Sequence, residues 1–350
     1  MKSPLYEQLI ESIGEKGHLT IAEYMQQCLY DPQHGFYTNL SRITDHFVTA
    51  PEISQLFSEM LAIHFILKWE QFGKPEAVTL IELGPGNGTL AHDMTRILSQ
   101  HLGPYCQLSY ILVEQSPALQ ERQKHRLKDA PCPVQWTNWQ QASTLSYASG
   151  CTFIIANEFF DALPIHQYEK ISSTWFERCV TADHQGKLLF SHTEELTHAT
   201  SQFPQNSHFY EYCPQAHEWF EHILSILKYK PGACVIVDYG FDTPSDDYQD
   251  TLQAIYQNLK VSPLSHYGSA DLTAHVDFGA LMKQAAYHPF ATNLTTQQEF
   301  LTQHGIMLRL ERLLAQKTIG ERTTLIQGAH RLTAPDQMGT LFKVLLCATN

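Results

Sequence analysis

The 350-residue sequence has no two cysteines close enough for a CxxC pair. Its eight cysteines stand at 28, 106, 132, 151, 179, 213, 234 and 347. That spacing offers neither a zinc site nor a dithiol redox motif. No apolar run approaches the ~18 residues needed to span a bilayer. The N-terminus, MKSPLYEQLIESIGEKG, lacks a basic region ahead of an apolar core, so it is not read as secretory. Glu7, Glu11 and Glu15 argue against an acid-poor mitochondrial transit peptide. Without a secretory signal, scattered cysteines read as free thiols in a reducing compartment, and the expected location is cytoplasmic. Basic residues are scarce too: 23 Lys+Arg face 36 Asp+Glu, a net charge of −13. Non-specific binding to nucleic acid or an anionic membrane needs clustered Lys/Arg, so neither is an expected partner. Histidine is abundant, at 19, but no HExxH motif is present and no metal is expected. Repeats and low-complexity segments are absent.

With 43% hydrophobic and 17% charged residues, the chain is too apolar to be disordered. Its length suits two domains, or one large α/β domain with insertions. Apolar positions 5, 6, 9, 10 and 13 predict a first helix, ended by Gly14 and Gly17. Thr20 and Glu23 form a capping-box signature for a second helix that stops at Asp31-Pro32. From Pro51, ISQLFSEMLAIHFILKWEQF predicts one long amphipathic helix.

AVTLIELG (77–84) then reads as a buried parallel strand, followed by a helix over 89–100. SYILVEQ (109–115) is a second strand, with a helix from Pro117 to Lys128 behind it. VQW (134–136) is a candidate third strand and CTFIIANEFF (151–160) a fourth. This alternation predicts a doubly wound α/β sheet. The polar stretch 165–205 reads as inserted antiparallel strands. A helix over 214–228 and a fifth strand, ACVIVDYG (233–240), follow. TLQAIYQN is a candidate sixth strand, DFGALMKQAA a helix and TLFKVLLCAT a final strand.

The strongest chemical signal lies between the first of these parallel strands and its helix: Glu82-Leu83-Gly84-Pro85-Gly86-Asn87-Gly88-Thr89. Closely spaced glycines at a strand end let the backbone turn sharply and pass beside a ligand. A dinucleotide fingerprint would place its third glycine at 89, which is Thr, and no GKS or GKT follows for a P-loop. The GxGxG pattern with an acid two residues ahead instead resembles motif I of class I S-adenosylmethionine methyltransferases. That resemblance implies that Glu82, Gly84, Pro85, Gly86 and Gly88 bind S-adenosylmethionine, with Asn138 added after the third strand. It also implies that Glu114 accepts hydrogen bonds from both ribose hydroxyls, a role suited to a bidentate acceptor.

Asn157, Glu158 and Asp161 follow the fourth strand, flanked by Phe159 and Phe160. Carboxylates between aromatic walls suit a cationic nucleophile, guanidinium or ammonium. The alternative reading gives Asn157 and Asp161 to capping and Glu158 to solvent.

Longer motifs occur in order: YDPQHGFYT, FVTAPEISQLF, ELGPGNGTL, YILVEQSPALQERQ, ANEFFDALPIHQY, SADLTAHVDFGAL and MGTLFKVL. Over residues 19–346 they resemble the MidA family. The resemblance implies a Rossmann-like class I methyltransferase fold with a helical N-terminal lead (1–74), a cofactor core (75–164), an inserted α+β substrate region (165–230) and the rest of the core (231–350). It implies methylation of an arginine side chain in a protein substrate, of which a complex I subunit is the mitochondrial example. Glu158, Asp161 and Asn157 are the implied catalytic group. Thr49, Pro51, Glu52, Phe159, Phe160, His275 and Asp277 are the implied substrate side. His275 between Asp271 and Asp277 suits a cation or a proton relay, and equally a helix start capped by Asp271 or Thr273.

Three departures stand out. Asp45-His46-Phe47 lacks the family's glycine, Ser58 replaces another, and Tyr256-Gln257-Asn258-Leu259 lacks its basic residues. A non-catalytic assembly scaffold that keeps the fold is the alternative function, and methylation of a small molecule is a third. Oligomeric state is not legible.

Overall fold

The computed structural model describes residues 3–38, 49–138, 141, 150–196, 203, 207–243 and 249–349. Asp45-His46-Phe47 lies outside them. The chain divides into two compact units, one of residues 48–160, 219–242 and 276–350, the other of 1–47, 161–218 and 243–275. The helical lead expected over 1–74 is thus shared between units, and the cuts fall elsewhere than at 74, 164 and 230.

The first unit is built on a sheet of β1 (Ala77–Leu83), β2 (Gln107–Val113), β3 (Val134–Thr137), β4 (Cys151–Asn157), β5 (Gly232–Phe241), β6 (Phe290–Thr296) and β7 (Phe342–Thr349). Their order is β6-β7-β5-β4-β1-β2-β3, with Val276–Asp277 pairing beside β5. The 3-2-1-4-5 portion is the doubly wound order, and β7 enters antiparallel between β5 and β6. All seven residues of β4 are buried, which fits a strand covered on both faces. In register, Leu83 sits beside Val113 and Ala156, and Asn157 beside Val237. The carboxyl ends of β1, β2, β4 and β5 therefore form one edge, where open α/β sheets bind ligands.

Helices α1 (Ala50–Ile53), α2 (Gln55–Gln71), α3 (Thr89–His101) and α4 (Pro117–Arg126) belong to this unit. The single helix expected from Pro51 is two: Ser54 is extended, at φ −161°, and its Oγ accepts from Leu56 N at 3.3 Å to start α2. Nor is α2 simply amphipathic. Leu56 to Ala62, His64, Phe65 and Trp69 are all buried, Ser58 included. Phe65 stacks on Phe153 of β4 at 4.8 Å, and Glu59 is held by Arg309 at 2.6 and 2.9 Å.

In the second unit, Ser3 caps a helix over Pro4–Lys16 that runs through Gly14 and ends at Gly17, φ +85°. The Thr20–Glu23 capping box opens Ile21–Tyr30 as expected. The insertion forms antiparallel strands His166–Ile171, Thr174–Ala182, Leu188–Glu195 and Phe209–Tyr212, joined by Leu19–Thr20. Gln253–Tyr256 is a strand, but of a separate three-stranded sheet with Leu259–Val261 and Asp271–Thr273. Gln257 and Asn258, at φ +50° and +60°, make its two-residue hairpin turn. The sixth strand of the parallel sheet is instead FATNLTT, β6. Among the described residues no helix is long and apolar enough to cross a membrane, and all eight cysteines are free thiols.

Candidate active site at the carboxyl edge of the sheet

Gly84, Gly86 and Gly88 all have left-handed φ, +61°, +49° and +73°. The turn is closed by Gly84 N donating to Val113 O (3.1 Å) and Gly88 N to the carbonyl of buried Pro85 (2.7 Å). Packing blocks a side chain at the first and crowds one at the third. A Cβ on Gly84 would lie 2.8 Å from Phe159 Cδ2, and one on Gly88 3.3 Å from Gln123 Cγ. Around Gly86 nothing stands within 4 Å of that position. The middle glycine therefore borders open space that a Cβ would enter.

Glu82 faces the neighbouring strand. Tyr110 Oη donates to its Oε2 at 2.6 Å, and burial pushes its carboxyl up to about 7. Glu114, one residue beyond β2, is 8% exposed. Its Oε1 accepts from Ser116 N (2.8 Å) and its Oε2 from Gln123 Nε2 (3.1 Å). Burial raises its pKa, and those donors offset part of the rise. Each oxygen keeps acceptor capacity beyond one bond. Asn138 follows β3 on the same edge, where Glu114 N donates to Thr137 O (3.1 Å). Asn138 is exposed and its Oδ1 accepts from Gln141 N (2.9 Å).

At the end of β4, Glu158 has φ +50°, a conformation that costs a non-glycine residue about 1–3 kcal/mol. Its Oε1 accepts from Ala50 N (2.9 Å) and Asn157 Nδ2 (3.2 Å). Helix α1 also reaches the glycine loop: Asn87 Nδ2 donates to Glu52 Oε1 at 2.6 Å, while Thr49 N donates to Glu52 Oε2 at 3.4 Å. Pro51 is buried at the start of that helix. Through Ala50 and Glu52 this helix thus holds the β4 end and the loop, while Thr49 contacts Glu52 and Pro51 packs within the helix start. Phe159 is half-buried, edge-on to Trp219 at 4.9 Å and to Phe160 at 5.5 Å. Phe160 is only 3% exposed, and its N donates to Asp238 Oδ2 (3.0 Å), so it packs rather than lines a wall.

Of the remaining candidates, Asp161 and His275 belong to the second unit and Asp277 to the first. In the second unit Asp161 is 2% exposed, its carbonyl accepting from Ala274 N (2.9 Å). There Tyr37 Oη donates to Asp271 Oδ1 at 3.1 Å. Burial and the nearby Asp271 push the Tyr37 phenol up. The backbone N–H of His275 donates to Thr251 Oγ1 (2.9 Å), and burial pulls its imidazole pKa down. Neither Asp271 nor Thr273 caps the next helix, since both lie in a strand. Asp277 is the cap, its Oδ1 accepting from Ala280 N (2.9 Å) at the start of Phe278–Ala285. The acid–His–acid spacing is therefore a strand start, a linking residue and a helix cap.

Two residues that sequence reasoning passed over complete the edge: Asn87, and Gln123 on α4. Gln123 is fully buried and joins Gly86 O (2.8 Å), Glu114 Oε2 and Trp136 Nε1 (2.9 Å). Asn87 Oδ1, Thr89 Oγ1 and Asn157 Oδ1 are buried without a hydrogen-bond partner among the described residues. Open space at Gly86, a buried double acceptor in Glu114 and these uncommitted polar atoms fit S-adenosylmethionine. Gly84 to Gly88 would border its methionine half and Glu114 would hold its ribose. Among the described residues no group of three or more His, Cys, Asp or Glu could hold a metal ion.

Comparison with known proteins points to the same cofactor. Residues 60–294 match the family described as "Putative S-adenosyl-L-methionine-dependent methyltransferase". The chain is 34% identical to the protein arginine methyltransferase NDUFAF7, mitochondrial, of Xenopus laevis, over 97% of this chain and 83% of that protein. The Homo sapiens protein of the same name is 33% identical, over 97% and 82%. An uncharacterised Burkholderia thailandensis protein has the same fold, with TM-score 0.83, 25% identity and coverage of 99% and 94%. A second structure from that organism, bound to S-adenosyl-homocysteine, has TM-score 0.80 at 24% identity, with the same coverage. The relatives are named as mitochondrial, which overturns the cytoplasmic expectation. Free thiols mark a reducing compartment, not which one. With the family model spanning residues 60–294 and these relatives matching almost end to end, the chain belongs to the S-adenosyl-L-methionine-dependent methyltransferase family.

Proposed function

We propose that this chain transfers a methyl group from S-adenosylmethionine to the guanidinium of an arginine side chain in a protein substrate. The observation that carries the cofactor half is the open space at Gly86 beside the buried Glu114 carboxylate. The substrate half is supported by relatives named protein arginine methyltransferase across 97% of this chain, and by the carboxylate of Glu158 at the end of β4.

When bound, the cofactor would supply an electrophilic methyl on a sulfonium, and breaking of the S–CH3 bond would release the neutral thioether S-adenosylhomocysteine. Glu114 accepts the ribose hydroxyls, and the Gly84–Gly88 backbone orients the methionine half. Glu158, anchored through Oε1 by Ala50 N and Asn157 Nδ2, binds the guanidinium N–H groups and turns one nitrogen toward the methyl. It accepts the proton that this nitrogen sheds as the new bond forms. Phe159 excludes water on one side. In-line methyl transfer asks mainly for position, which a braced carboxylate supplies.

The test is incubation of the full chain with isotope-labelled S-adenosylmethionine and proteins from cells lacking this gene, read by mass spectrometry. Labelled methylarginine that disappears with Glu158→Gln supports the proposal. Label on lysine or a small amine would move the substrate elsewhere. S-adenosylhomocysteine binding with no labelled product would favour a scaffold, a reading suited to a Glu158 already engaged by Ala50 and Asn157.

A further inference from the structure

We infer that Gln123 is a positioning residue that locks the glycine loop and the Glu114 carboxylate into one rigid acceptor surface, and so sets affinity for the nucleoside cofactor. This deepens the cofactor reading above and rests on it.

The argument starts from Trp136. An indole N–H only donates, so the Gln123 atom facing it at 2.9 Å is the carbonyl oxygen. That fixes the amide orientation. Its two amide hydrogens then point at Gly86 O (2.8 Å) and Glu114 Oε2 (3.1 Å), both of which only accept. Every hydrogen-bonding direction but one lone pair of the amide is used, in a side chain with no solvent exposure.

Gly86 is the residue that borders the open space, and Glu114 carries the buried carboxylate. One amide therefore fixes the spacing between them. Ser116 N holds the other oxygen of Glu114, so the carboxylate cannot rotate without breaking a bond at each end. Rotation would turn its acceptor lone pairs away from a pair of vicinal hydroxyls. The backbone on the far side is equally committed: a Cβ on Gly88 would meet Gln123 Cγ at 3.3 Å, so the side chain also fills the underside of the loop.

No other side chain of this length offers the same pattern. Glutamate keeps the shape and the acceptor toward Trp136. It sets a second carboxylate beside Glu114, and two adjacent carboxylates share a proton. The protonated form donates again; the ionised form repels both Gly86 O and Glu114. Gln123→Glu therefore converts cofactor affinity into a function of pH, which a packing role does not.

The experiment is calorimetric titration of the full-length chain with S-adenosylhomocysteine at pH 8 and pH 5.5. No binding to the unsubstituted chain would defeat the cofactor reading itself. Given binding there, Gln123→Glu is expected to lose about tenfold or more at pH 8 and to regain several-fold by pH 5.5. Affinity within about twofold of the unsubstituted chain at pH 8, or a loss equal at both pH values, would overturn the proposal. Trp136→Phe removes the N–H that orients the amide, together with part of the ring packing, and is expected to weaken binding about threefold or more. If Gln123→Glu does not fold, unchanged affinity in Trp136→Phe overturns the proposal by itself.

Discussion

Asn87 donates its side-chain amide to Glu52 at 2.6 Å, tying the middle of the glycine loop to the first helix of the sheet unit. The same short helix receives Glu158 through Ala50 N. A hydrogen bond to a charged partner contributes about 1.5–3 kcal/mol, and its loss would free the loop. Asn87→Ala is expected to weaken S-adenosylhomocysteine binding by about tenfold. A double-mutant cycle with Glu52→Ala should show that the two changes do not add. Additive losses would mean that the contact does not organise the loop.

The three glycines should fail in different ways. Gly86→Ala places its methyl in open space, so the chain should fold, with about 1–3 kcal/mol of backbone strain, yet lose cofactor binding. Gly84→Ala meets Phe159 at 2.8 Å and should lower the melting temperature first. Differential scanning calorimetry beside ligand titration separates the two. A Gly86→Ala chain that binds normally would move the cofactor off the loop.

Glu82 makes stability depend on pH. Its folded value of about 7 lies above the ordinary 4.5. The unfolded chain therefore ionises more readily. The stabilisation is fully present below pH 4.5 and lost as pH rises through 7. The difference amounts to on the order of 3 kcal/mol. Glu82→Gln should flatten this part of the melting-temperature profile, and an unchanged profile would reject the assignment.

A histidine pair with His64 buried acts with the opposite sign. His304 Nδ1 donates to Phe300 O (2.7 Å), so its Nε2 accepts from His64 Nδ1 (3.1 Å). Burial holds His64 at about 3, below the usual 6.5. Stability tied to the neutral ring is present above pH 6.5 and lost as pH falls toward 3. His64→Leu should weaken that acid-side slope in thermal melts. A slope equal to that of the unsubstituted chain would assign it to other groups.

Much of the parallel sheet was legible because its strands are nearly continuous apolar runs bounded by glycine or proline. AVTLIELG and CTFIIANEFF carry that signal plainly. FATNLTT does not: β6 is half polar, and TLQAIYQN reads as the sixth strand instead. The break at Ser54 had no proline or glycine of its own to announce it. At the site, glycine spacing and Glu114 were readable from local sequence. Gln123 was not, because it sits in a run of polar residues, QERQKHR, and becomes central only through the place where α4 meets the loop. Glu158 and Asp161 illustrate the limit from the other side. Three residues apart in sequence, they fall in different compact units.

The position of β7 between β5 and β6 has a consequence for biosynthesis. Sequence order and spatial order disagree there: β6 emerges from the ribosome before the strand that joins it to the rest of the sheet. Until residues 342–349 are made, β5 lacks its partner over Ala233–Tyr239 and β6 lacks its partner strand, leaving edges of the kind on which nascent chains stick to one another. The sheet is completed like an arch whose keystone is cut late, and chaperone protection during synthesis would matter most in that interval.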